Sequence, residues 1–237
     1  MYPGFGYGMG FYFDPTYILI IIGAIITMAA SAKVKSTYAR YKRVRSMSGM
    51  TGAQAAQRIL NASGIYDVRV EHIAGDLTDH YDPRSKVLRL SDSVYSSTSV
   101  AAIGVAAHEC GHAVQDQVSY VPLKLRGAFV PVANFGSAAS WPLILLGVIL
   151  GWNNTLIQIG IVCFSFAVLF QLITLPVEFN ASRRAVAILS STGILQGEEI
   201  KHTKKVLSAA ALTYVASAAA GILSLLRLLI LFGRRDD

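Results

Sequence analysis

Residues 100–114 read VAAIGVAAHECGHAV, an apolar run that carries His108, Glu109 and His112 between a cap-like SSTS at 96–99 and a polar QDQ at 115–117. Small apolar residues without proline, preceded by Ser99, predict a helix over 98–116. On a helix of 3.6 residues per turn, His108 and His112 point within about 40° of each other one turn apart, so two imidazoles can converge on one ion. Glu109 sits beside them, where a carboxylate can take a proton from water at a metal without itself being a ligand. At this chain's own His and Glu frequencies, chance produces such a pattern roughly two times in a thousand. The competing reading is a pair of satisfied core histidines on a packing helix.

Outward from that helix the chain is unusually apolar. Of its 237 residues 53% are hydrophobic and only 15% are charged, which places it first among membrane proteins. The stretch TYILIIIGAIITMAASA, 16–32, is uncharged and about long enough to cross a bilayer. The following KVKSTYARYKRVR carries Lys33, Lys35, Arg40, Lys42, Arg43 and Arg45 with no acid. The positive-inside preference puts that stretch in the cytoplasm and residues 1–15 outside as a tail. A signal peptide ending at Ala30-Ser31-Ala32 is disfavoured, because no Lys or Arg precedes it. The net charge of +7 is therefore read as an orientation signal and lipid-headgroup contact, and nucleic acid is not expected as a partner. Cys110 and Cys163 are too few for a disulfide framework and read as small apolar fillers.

Residues 33–126 contain the most polar part of the chain and predict a small α+β region. In TGAQAAQRILNASG, Thr51 and Gln54 form a capping box and Gly64 a stop. VRVEHI alternates as a strand, and LTDHYDPRSKVLRLS reads as two strands joined at Asp82-Pro83. Apolar runs at 127–152 and 155–177 flank a polar Asn153-Asn154 and predict a membrane hairpin. Residues 178–205, with Arg183, Arg184, Lys201, Lys204 and Lys205, again suit the cytoplasm. A fourth span is expected over 206–232, its direction open because a full crossing sets Arg234 and Arg235 outside, with Arg227 near an interface. The expected fold is a mainly α integral membrane protein of about four transmembrane helices with a small α+β domain on the cytoplasmic side.

A catalytic zinc needs a third protein ligand and an open position. Asp116 lies eight residues from His108, about 12 Å along the axis, too far to share one ion. Two membrane crossings return the chain to the face it left, which makes Glu178 the leading candidate. Glu198 and Glu199 read as a solvated helix start, and His72 and His202 as surface or sheet histidines.

AAHECGHAVQ together with LPVEFNASRRA, LTDHYDPRSKVLRLS, VKSTYARY, PVANFGS and KKVLSAAALTYVA closely resembles the YugP-type membrane-bound neutral zinc metallopeptidases of bacteria. The likeness runs from about Val34 to Arg227. It implies a zincin-like (gluzincin) domain with one Zn2+ per chain, His108 and His112 as ligands and Glu109 as the catalytic carboxylate. More distantly the plan is similar to that of HtpX membrane peptidases, whose ligand glutamate opens a Glu-x-x-Ala-Asp pattern. Glu178-Phe179-Asn180-Ala181-Ser182 matches it except at the last position, so Ser182 or Asn180 is expected in the aspartate's outer role.

His80, Tyr81, Arg183 and Arg184 are the candidates for stabilising an oxyanion or contacting substrate, and the hairpin edge could hold a substrate backbone by strand addition. Val100 to Val114 is shorter than a spanning helix, so the site is expected at the cytoplasmic surface of a multi-pass cell-membrane protein. The expected activity is hydrolysis of membrane-proximal or unfolded polypeptides by zinc-activated water with Glu109 as general base. The alternative is a non-catalytic zinc-binding scaffold or regulator, against which Glu109 speaks, since binding alone needs only the ligands. The bilayer and a polypeptide substrate are the expected partners; a membrane-protein regulator and a homo-oligomer stay open.

Overall fold

A computed structural model describes residues 14–233. Most of the expected 1–15 tail, and Arg234 and Arg235, lie outside the described residues. In chain order the elements are α1 Tyr17–Tyr41, α2 Gly52–Ala62, β1 Arg69–Ile73, β2 His80–Asp82, β3 Val87–Ser91, α3 Asp92–Tyr95, α4 Val100–Gln117, α5 Val121–Ile149, α6 Asn154–Ser191 and α7 Glu198–Phe232.

Four helices, α1, α5, α6 and α7, are long and apolar enough to cross a membrane. They pack as α5 on α6, α6 on α7 and α7 on α1. Their outer faces leave Ile18, Ile22, Ile25, Met28, Phe135, Trp141, Val162, Leu226 and Leu229 exposed. So much exposed apolar surface is stable only against lipid or another apolar partner. Close approach between α5 and α6 rests on small residues: a Cβ on Gly136 would sit 2.4 Å from the Cys163 carbonyl oxygen.

Two helices outrun the bilayer. α6 has 38 residues, about 57 Å, against a hydrocarbon core of about 30 Å. Its far end, Ala185 and Leu189, therefore enters the core of the small domain, joined there by Ile194, Leu195 and Leu207. One continuous helix thus runs through the expected end of the span at 177 and carries Glu178. Similarly α1 continues through the basic stretch to Tyr41, and Tyr38 and Tyr41 pack with Ala101 and Val206. α7 runs antiparallel to α1: Gly23 lies against Ala220, and Arg227 pairs with Asp14 at 3.5 Å and stands 4.3 Å above the Tyr17 ring. The C-terminal end of α7 thus shares a face with the start of α1. Arg227 is held there by Asp14.

The small domain gathers around α4. Thr51 and Gln54 cap α2 reciprocally, and α2 presents Ala55, Ala56, Ile59 and Leu60 to the core at helical spacing. β3 is the centre of a three-stranded sheet, parallel to β1 and antiparallel to β2. Its Val87, Leu88 and Leu90 are buried. Among the described residues β2 pairs with β3 alone, which leaves its other edge open beside α4. Ser99 caps α4 by accepting from the Ala102 amide. The helix packs on α2, α6 and α7, so its buried residues lie all around it.

Candidate metal centre

Three donor groups converge between α4 and α6. His108 Nε2 lies 3.2 Å and His112 Nε2 3.6 Å from the same oxygen, Oε2 of Glu178. One ligand atom from each of the three residues lies within 4.8 Å of the others. Donors about 2.1 Å from a tetrahedral zinc would stand about 3.4 Å apart, which the two histidine-to-carboxylate spacings match. Both other ring nitrogens are engaged, so the Nε2 atoms are the ones turned to the centre. His108 Nδ1 meets Ser182 Oγ at 3.1 Å, and His112 Nδ1 donates to Gln115 Oε1 at 2.9 Å.

Gln115, fully buried, works as a bracket between the two helices. Its amide nitrogen donates to the Val177 carbonyl at 2.8 Å and to Asn180 Oδ1 at 3.0 Å, while Arg184 Nε donates to that same Asn180 oxygen at 2.7 Å. The second carboxylate oxygen of Glu178 accepts from Arg126 of α5 at 2.9 Å, so one oxygen is tied and the other faces the histidines. Gly111 permits the approach. A Cβ there would stand 2.6 Å from the Ala181 carbonyl oxygen, a backbone atom that cannot swing aside, and any larger residue would force α4 away from Glu178.

Electrostatics at the centre favour positive charge. Burial works against a charged His112, but the hydrogen bond to Glu178 and the carboxylates of Glu109 and Glu178 outweigh it and raise its pKa. Glu109 is buried and stands beside the three converging donors. Asp79, which accepts from the Ser91 amide at 2.8 Å and its hydroxyl at 2.9 Å, has its pKa raised, chiefly by burial. Cys110 is sealed in the core behind the centre, where burial pushes its thiol well up; it acts as filler.

Two hollows meet at these residues. The larger, about 440 Å³, opens past the free edge of β2 and is lined by His80, Tyr81, Asp116, Arg126 and Tyr214 together with Glu109. The smaller, about 220 Å³, is an apolar recess whose walls include Val34, Leu77, Val105, Leu207 and Ala211. His108, Glu109, Glu178 and Tyr214 border both. Tyr81 donates its hydroxyl to Asp116 at 2.8 Å, and Lys86 pairs with the same oxygen at 2.7 Å; burial and that carboxylate raise the tyrosine's pKa. His80 Nδ1 meets the Thr78 carbonyl.

Two expected substrate contacts, Arg183 and Arg184, are not brought to the centre. Arg183 lines a separate groove between α6 and α7 and does not border either hollow. Arg184 donates to Asn180. The partner of Glu178 is Arg126, a residue the sequence reading passed over. His72 pairs with Asp92 at 2.6 Å, and His202 stacks on Tyr41 with ring centroids 4.7 Å apart, so neither approaches the centre. Glu198 pairs with Lys201 on the surface. Glu199 differs from the solvated helix start expected of it: it is buried and accepts from the Met47 amide at 2.7 Å, clamping the turn after α1 onto the start of α7.

With this geometry in place, likeness to known proteins becomes decisive. The family described as "Putative neutral zinc metallopeptidase" matches residues 16–233. The chain belongs to that family. A curated relative, "Putative membrane protease YugP" of Bacillus subtilis (strain 168), is 51% identical over 223 residues, covering 93% of this chain and 99% of that protein. No solved structure matches. Family and relative agree with the resemblance drawn from the motifs, and zinc is the ion that the family description implies for a His-His-Glu group.

Proposed function

We propose that the protein is a zinc-dependent endopeptidase of gluzincin type, acting at the cytoplasmic face of the cell membrane on membrane-proximal or unfolded polypeptides. The observation that carries this reading is the convergence of His108, His112 and Glu178 on one point with Glu109 beside them. Two imidazoles and one carboxylate are the donor set of a catalytic rather than a closed structural zinc site. A zinc ion held there supplies Lewis acidity, which acidifies water and polarises a scissile carbonyl.

The chain's own residues supply the rest. Glu109 accepts the proton of the attacking water on its carboxylate and passes it to the departing amine nitrogen. Ser182 and Gln115 hold the imidazole rings in register, and Arg126 fixes which oxygen Glu178 presents. The open edge of β2 borders the larger hollow and offers unpaired backbone groups to an extended substrate. The apolar recess on the other side suits an aliphatic or aromatic side chain next to the cleaved bond. An extended segment presented to the β2 edge must lack fixed structure, which is the physical basis for unfolded substrates.

In the reaction's direct test, purified full-length protein loaded with zinc is incubated with an unfolded, casein-like protein. Cleavage that stops with a chelator and returns with zinc is expected; a stoichiometric zinc protein that cleaves nothing would favour the scaffold reading. Orientation rests on the basic stretch after Ala32 and on the cations of 183–205. A cysteine placed at exposed Met47 is expected to react with a membrane-impermeant maleimide in lysed cells only; labelling in intact cells would put the centre outside.

A further inference from the structure

Where α1 and α7 leave their apolar segments, a groove of about 620 Å³ runs between them, and its walls carry Lys33, Arg40, Lys204 and Lys205 with the hydroxyls of Ser36 and Ser208. Among the described residues no carboxylate lines it. Lys33 directly follows the apolar run of α1 and Lys205 directly precedes that of α7, and because the helices are antiparallel, both cationic ends lie at one level. None of the four is in an ion pair among the described residues. Glu198, an acid at the start of α7, acts on Lys205 through space but is already bonded to Lys201.

Like charges gathered in one groove repel each other, and such a cluster is stable only with counter-charge from a ligand or solution ions. The groove also has an apolar continuation. On the other flank of α7 a second hollow, about 650 Å³, shares Lys204, Ser208 and Leu212 with the first and adds Phe179, Arg183 and Val215. Leu212, 47% exposed, therefore faces two hollows just below the cations. Cations and hydroxyls above, with apolar surface below, match a phosphate attached to a hydrocarbon chain better than a free phosphate, which would use only the upper half.

We propose that this groove binds the phosphate headgroup of an anionic phospholipid of the bilayer, with an acyl chain laid along α7 past Leu212. The inference rests on the membrane-spanning helices and is independent of peptidase activity.

The test uses the full chain in a neutral detergent, titrated with phosphatidylglycerol or phosphatidylcholine and followed by native mass spectrometry and thermal unfolding. Phosphatidylglycerol is expected to stay bound and to raise Tm with concentration, phosphatidylcholine to do neither. A triple variant, Lys33→Gln, Lys204→Gln and Lys205→Gln, should weaken phosphatidylglycerol binding at least about tenfold. The triple Lys35→Gln, Lys42→Gln and Arg43→Gln removes equal charge outside the groove and should leave binding unchanged. Leu212→Trp keeps every charge but obstructs the chain path; it should weaken binding too, and it serves if the first triple fails to fold. Equal losses in both triples, no preference for the anionic lipid, or the same Tm shift with glycerol phosphate alone would each overturn the proposal.

Discussion

Glu109→Gln is expected to lower kcat by about a hundredfold to ten-thousandfold while zinc stays at one ion per chain. The amide keeps the shape of the side chain in its buried place but cannot accept a proton, and positioned general acid–base catalysis contributes about 10²–10⁴-fold in rate. Glu109 is not among the three converging donors, so metal content should not follow activity. Zinc analysis and steady-state cleavage measured on the same preparation separate the two. A metal-loaded variant that still cleaves near the native rate would remove Glu109 from the chemistry, while loss of zinc together with activity would make it a ligand.

Glu178→Ala should cost the metal itself. It removes the one carboxylate among the three donors and leaves Arg126, whose partner it was at 2.9 Å, as an unopposed cation beside the vacated position. The loss of zinc affinity should exceed the roughly 10- to 100-fold that follows removal of an outer hydrogen-bond partner, for which Ser182→Ala and Gln115→Ala are the internal comparison. Competition titration against a chelating dye gives the affinities, and circular dichroism checks that the helices remain. Native zinc affinity in Glu178→Ala would show that the ion is held elsewhere, and the His-His-Glu assignment would fall with it.

The outer partners of the centre show where reading by position works and where it stops. Ser182 follows Glu178 by four residues, about 40° around one helix, and meets His108. Arg183 follows by five, about 140° around, and turns to another groove. Helical period alone distinguishes the two once α6 is known to run unbroken past Glu178. Gln115 was within reach of the same reasoning, three residues after His112 on the same helix. Arg126 was not: it acts on a residue 52 positions away, and nothing in its neighbourhood marks it apart from Lys124. The role of Gly111 was equally hidden, since the atom that forbids a side chain there belongs to Ala181 on another helix.

Local chemistry is written in short intervals, and what depends on it could be read directly: the four apolar spans, the capped helices, the histidine pair with its glutamate. Chain parity through the membrane hairpin went one step further and nominated Glu178. Whether the two imidazoles stand 3.2 and 3.6 Å from one carboxylate oxygen, which arginine ties that carboxylate, and which side chains border the two hollows depend on how α4 seats against α6 and α7. That seating is set by close packing between segments 60 to 100 residues apart in the chain. A shift of about 1 Å there would scatter the ligands without changing any residue of the motif, because the motif specifies directions on one helix and the ion requires distances between two.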